Sequence, residues 1–327
     1  MLLRIFRSQS PIQFILIIPL VIGLWYSSFG TGIMQFPGNY DIGLYGFIFR
    51  LVSHFPTLSS LLALVLVSLQ AIILNYLLIK NNLSLRNNLL PSYIFILLTG
   101  STHSLTQLSA PLIASFFIML SVVELLGMYE LKDPFKECFN ASFFITIASL
   151  FYFPAIIFFI LIWISFLVYR VLSWREWIIS FIGFFSVSIF CWFYFFWNNQ
   201  VPMIWNQIEQ FFAFPEHFHV KFNRFGYIIW GIIALIFLGA LSNIMNHIYE
   251  KVIAIRRKIW VIIFMFMIAL LSFFYANQQF RFQIIFLTIP ATIIINYATL
   301  NRKKPMRSEI LLWLLTIAVI TSKIAGY

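Results

Sequence analysis

From Phe139 to Tyr169 the chain runs 31 residues without a charged side chain. Such a surface aggregates in water and is ordinary in a bilayer. Taken to Arg170 as one helix, the stretch would be about 48 Å long, against about 30 Å of hydrocarbon. That is too long for one upright span and tight for two. Pro154 lies near the middle, and proline removes a backbone donor and kinks or breaks a helix. The sequence therefore predicts two short spans, 139–152 and 154–170, meeting near Tyr152-Phe153-Pro154. This division decides the side on which every later loop lies.

The same character runs through the whole chain. With 62% apolar and 9% charged residues and a mean hydropathy of +0.95, the class is an all-α, polytopic membrane protein. No stretch suffices for a separate soluble domain, so residues 1–327 are expected to form one integral membrane domain. A net charge of +11 could suggest nucleic acid. The basic residues instead sit in short loops between apolar runs, where they set topology and meet lipid headgroups. Membrane lipids are thus the expected partners, and nucleic acid is not. Cys138 and Cys191 show no CxxC spacing, which argues against a disulfide framework or a zinc site.

Apolar runs cover about 11–29, 60–79, 90–101, 108–127, 139–152, 154–170, 177–197, 227–247, 259–275, 283–299 and 309–326. Arg4 and Arg7 precede the first run, and no small-residue cleavage site follows it, so it reads as an uncleaved span. Eleven spans starting in the cytoplasm put sixteen of the 21 Lys and Arg residues in inside loops and five outside: Arg50, Lys221, Arg224, Arg281 and Lys323. This asymmetry follows the positive-inside rule. Merging 139–170 into one helix would send Arg170, Arg175 and every later cluster to the wrong side. The N-terminus is expected inside and the C-terminus outside.

Two outside segments are expected to be interfacial helices. In about 43–55, Leu44, Phe47, Ile48, Leu51, Val52 and Phe55 recur at helical spacing, with Gly46, Arg50, Ser53 and His54 opposite. In about 203–213, Ile204, Trp205, Ile208, Phe211 and Phe212 form the apolar stripe, and Pro202 can open the helix.

The candidate chemistry lies mainly outside. Asp41, the one acid of the first outside loop, is either a general base at the membrane surface or the N-cap of the helix that follows. Arg281, in Gln278-Gln279-Phe280-Arg281-Phe282, either holds a phosphate by its two-pronged guanidinium or snorkels to headgroups. Arg50 and His54 could line the same rim. His103, in a Ser/Thr-rich outside turn, is a secondary candidate whose bland reading is a hydrogen-bonded turn residue. Glu124, toward the inner end of its span, is another, because acids within a membrane are functional by default. His217 and His219 alternate without a third strong ligand nearby, so neither a metal nor another cofactor is expected. No series of acids suited to a proton relay runs through the spans.

Two resemblances carry expectations further. The stretch from about Leu74 to Trp197, centred on FNASFFITIASLFYFPAIIFFILIWISFLVYRVLSWREWIISFIGFF, resembles an uncharacterised family of bacterial polytopic inner-membrane proteins, some of them labelled carotene oxygenase. That label implies four histidines on iron, whereas the five histidines here are scattered over two membrane sides. The outside loop with its interfacial helix, the short paired spans, and Phe280-Arg281-Phe282 followed by Pro290 are similar in layout to the GT-C class of membrane glycosyltransferases. By that resemblance the chain handles a polyprenyl-phosphate-linked sugar in envelope glycan assembly, with Asp41 as base and Arg281 on the lipid phosphate. Many such enzymes carry two adjacent acids in this loop and a larger outside domain; this chain has one acid and no such domain. The rival expectations are a non-catalytic scaffold or assembly factor, bound to other envelope membrane proteins, and a transporter or flippase. Asp41 separates enzyme from scaffold, since its loss abolishes transfer and spares partner binding.

Topology is directly testable. Reporter fusions after Arg257 and at Tyr327 are expected to read opposite sides of the membrane; identical readings exclude eleven spans.

Overall fold

The computed structural model describes residues 12–30, 44–52, 54–85, 88–171, 173–212, 224–273, 280–300 and 305–324. These residues are helical throughout, with no strand among them. In chain order the helices are α1 (Ile12–Gly30), α2 (Leu44–Val52), α3 (Pro56–Lys80), α4 (Leu90–Gly100), α5 (Ala110–Gly127), α6 (Phe135–Phe151), α7 (Phe159–Tyr169), α8 (Trp174–Trp197), α9 (Val201–Phe212), α10 (Arg224–His247), α11 (Ile253–Ser272), the single turn α12 (Phe280–Gln283), α13 (Ile285–Leu300) and α14 (Pro305–Ile324). Short 3-10 turns lie at His103–Thr106, Phe153–Phe158 and Ile248–Glu250.

The predicted break is present. α6 ends at Phe151, Tyr152 is extended with φ −145° and ψ 102°, and Pro154 lies in the first turn of the 3-10 segment that follows. The chain then doubles back. Phe159 meets Phe181 and Phe184, Trp163 meets Trp177 and Phe181, and Phe166 meets Trp177, so α7 runs antiparallel to α8. α8 in turn runs parallel to α6, with Glu176 in electrostatic reach of Cys138 and Gly183 against Phe139 and Ser142. Tyr169, ending α7, meets Tyr129, which precedes α6, with ring centres 5.3 Å apart and planes tilted by 57°. α6 and α7 are therefore two short helices whose outer ends come home together.

Hydrogen bonds between helices show which helix ends lie together. Ser28 Oγ pairs with Thr106 Oγ1 at 2.6 Å, and Ser60 Oγ donates to Ser28 O. Gln70 Nε2 donates to Leu112 O and Ser115 Oγ. Hence α3 and α5 start at one end and run side by side to the other. There Leu89 N donates to Gln13 Oε1 and Arg257 reaches Tyr169 O.

The expected eleven spans are resolved more coarsely. Among the described residues four helices are long and apolar enough to cross a membrane: Thr57–Lys80, Ala110–Gly127, Trp174–Trp197 and Gly226–Glu250. Five further apolar helices are shorter, among them Leu90–Gly100 and Ile285–Leu300. These two are shielded by neighbours, whereas Ile15–Tyr26 and Leu312–Thr321 expose apolar side chains such as Ile18 and Ile317. α13, about 24 Å long at 1.5 Å per residue, is buried at nearly every position and packs against α4, α5, α10, α11 and α12. Irregular or short backbone is tolerated at membrane depth where protein rather than lipid surrounds it.

Helices cannot be driven together in lipid by apolar burial alone, so close approach matters. The tightest is at Gly183, where an added Cβ would lie 2.7 Å from the Phe139 carbonyl oxygen and would overlap the Ser142 hydroxyl. Gly183→Val is expected to destabilise the protein by about 1–3 kcal/mol, read as a lowered unfolding temperature in detergent. Gly231→Ala, with nothing within 4 Å of the new carbon, should leave it unchanged or raise it.

Candidate functional site

The 3-10 turn His103–Thr106 is the hub of one end. It packs against α1, α3, α4 and α12. Thr106, fully buried, is tied to Ser28, and Ser28 receives Ser60 through its carbonyl. α12 is a single turn pinned by Gln283 Nε2, which donates to Ser272 O at 2.8 Å. It carries Arg281 against the turn that begins at His103, although both side chains lie outside the described residues.

The interfacial helix joins the same hub. Tyr45, 2% exposed, donates its hydroxyl to Leu108 O at 3.2 Å, two residues past the turn. Burial pushes the Tyr45 phenol well above its ordinary pKa, so it remains a donor. α2 also packs on α3 and α6. Its faces divide differently from the expected pattern. Leu44, Phe47 and Leu51 form the exposed apolar stripe, while Tyr45, Gly46 and Val52 turn inward. Gly46 thus belongs to the packed side.

The helix is also shorter than 43–55. It stops at Val52, because Phe55 is extended (φ −128°, ψ 83°) ahead of Pro56, the first residue of α3. A residue before proline is driven out of the helical region. Arg50 remains in the last turn, exposed, where a cation complements the helix dipole. His54 falls in the connecting turn, exposed, and no longer shares a helix face with Arg50. Ser53 and Asp41 lie outside the described residues. The second interfacial helix appears as α9, Val201–Phe212, beside α8 and the 3-10 segment after Tyr152.

The segments bearing Arg281, His103, Arg50 and His54 therefore gather at one end. Glu124 does not. It lies in the last turn of α5, half-buried, and accepts from Asn140 Nδ2 at 3.3 Å. His54 and His103 are at the hub end, whereas His247 is at the other, with Nδ1 3.0 Å from Asn243 O; His217 and His219 lie outside the described residues. No cluster of metal ligands occurs among the described residues.

Two polar residues escaped the sequence reading. Glu176 is 4% exposed, and its Oε2 has no partner among the described residues. The signal was there: Glu176, Ser180 and Gly183 lie at i, i+4 and i+7, all buried, on the face of α8 that meets α6. Asn296, fully buried on α13, also lacks partners for both amide atoms. It continues the four-residue spacing of Thr288 and Thr292, whose hydroxyls turn to their own helix backbone.

Residues 31–326 match a family of unknown function, DUF6427. The chain belongs to that family. No curated protein and no solved structure matches it. The DUF6427 match covers the His103–Thr106 turn, the broken helix pair and the core helix α13, and begins just after α1. The carotene oxygenase label finds no support in this DUF6427 chain, because its described histidines divide between the two ends.

Removing the latch tests the hub. Tyr45→Phe in the DUF6427 chain deletes one buried hydrogen bond and is expected to cost about 1 kcal/mol. A cysteine introduced at Phe47 should then label faster with a water-soluble reagent; an unchanged rate would mean that Tyr45 does not hold α2 down.

Proposed function

We propose that this protein is a GT-C-like enzyme of a bacterial inner membrane, with eleven spans and a cytoplasmic N-terminus, which transfers sugar from a polyprenyl-phosphate carrier during envelope glycan assembly. The observation that carries this reading is the meeting, around the His103–Thr106 turn, of the helical turn bearing Arg281 and the interfacial helix that follows Asp41. These segments are far apart in sequence, yet they share one end of the bundle.

In this reading Arg281 receives the carrier phosphate by paired charge-assisted hydrogen bonds. Asp41 accepts the acceptor's hydroxyl proton as that oxygen bonds to the anomeric carbon. The carbon–oxygen bond to the phosphate breaks, and the carrier phosphate leaves with the electron pair. Arg50 and His54 stand at the rim, where an anionic carrier would approach from the outer leaflet.

The test is the pool of carrier-linked sugars extracted from cells that carry each variant. Asp41→Asn is expected to keep carrier binding and lose at least about 100-fold in turnover, so that the loaded carrier accumulates. Arg281→Ala should weaken carrier binding, and Arg281→Lys should restore charge without the fork. Unchanged pools on removal of the whole protein would overturn the reading and leave a scaffold, with Asp41 as a helix cap.

A further inference from the structure

The opposite end of the bundle gathers cations that form no ion pair with a carboxylate among the described residues. α11 opens Ile253-Ala254-Ile255-Arg256-Arg257-Lys258, and its apolar run begins at the next residue. Arg257 donates through Nη1 to Tyr169 O at 3.3 Å, and its guanidinium lies 5.7 Å from the centre of the Tyr129 ring. Lys258 Nζ lies 5.6 Å from the same ring. Tyr129 itself makes a tilted ring contact with Tyr169, and Arg170 follows as the exposed, left-handed C-cap of α7 at φ 62°.

Both α11 cations are half-buried. Among the described residues neither forms an ion pair with a carboxylate. Burial pulls the Lys258 ammonium below its ordinary pKa, and the charge of Glu130, on an exposed loop, partly restores it. Ring faces attract a cation without neutralising it. Tyrosine and basic residues just ahead of an apolar run sit where headgroup phosphates lie. Leu167, one turn before the end of α7, is exposed and offers apolar surface at this same end for an acyl chain.

We propose that Tyr129, Arg170, Arg257 and Lys258 bind the phosphate of an anionic phospholipid headgroup. Arg257 is held in place by the Tyr169 carbonyl and presents a fixed donor fork. Lys258 and Arg170 add charge from either side of it. The site stands apart from the hub and does not depend on any catalytic reading.

Full-length protein in nanodiscs of phosphatidylcholine, with or without phosphatidylglycerol, provides the test, read as lipid retained in native mass spectra. The protein is expected to retain phosphatidylglycerol over phosphatidylcholine. Each cation near the surface is worth about fivefold, so Lys258→Gln should lower retention by about that factor. Adding Arg170→Gln should lower it again, while Lys258→Arg should preserve it. Lys136→Gln, an exposed lysine elsewhere at this end, should have no effect. Should the double variant fail to fold, the Lys258→Gln and Lys258→Arg pair decides alone. Equal retention of both lipids, unchanged retention in Lys258→Gln, or displacement of phosphatidylglycerol by millimolar inorganic phosphate would each overturn the assignment.

Discussion

A helix that stops inside a bilayer leaves backbone groups with no water to satisfy them. The chain makes such a stop at Tyr152, and the surrounding architecture covers it. Tyr152 N still reaches Ala148 O, and Ala155 N takes up Tyr152 O, so the turn satisfies part of its own backbone. Phe286 of α13 closes over it, 5.9 Å from the Tyr152 ring and 5.3 Å from that of Phe158. α5, α9 and α11 pack around the 3-10 segment. Once this stop is covered, α7 can return to the Tyr129 loop.

Small polar side chains do much of the remaining joining. Ser28 with Thr106, Ser60 with Ser28, Gln70 with Ser115, and Ser92 with Ala71 each link helices distant in sequence. Such bonds are individually modest in membranes, about 0.6 kcal/mol on average. Their value lies in register, because they fix how far one apolar cylinder slides along another. Gly183 does the same by shape, letting α8 lie against the α6 backbone.

The two ends that result differ in chemistry. At the hub, buried hydroxyls organise a turn, with the segments bearing Arg281, Arg50 and His54 set around it. At the far end, guanidinium and ammonium groups rest on tyrosine rings and carbonyls rather than on carboxylates. The carrier-lipid proposal for the first and the phospholipid proposal for the second rest on different residues, and each can fail alone.

The sequence by itself determined the apolar all-helical class, the break at Pro154 and the presence of helices within 44–52 and 201–212. These are properties of local composition and proline chemistry. The position of each helix in the bundle was decided only by the tertiary structure. Residues Ala110–Gly127 and Trp174–Trp197 have the same hydropathy, 2.0, yet 67% of the first and 17% of the second is buried within the protein. In lipid an apolar side chain suits a neighbouring helix and a hydrocarbon tail equally, so hydropathy carries no signal of inside and outside. The core role of α13 and the inward turn of Gly46 were beyond sequence reading for that reason, and so was the meeting of Arg281's turn with His103's; the burial of Glu176 had a signal in its spacing with Ser180 and Gly183.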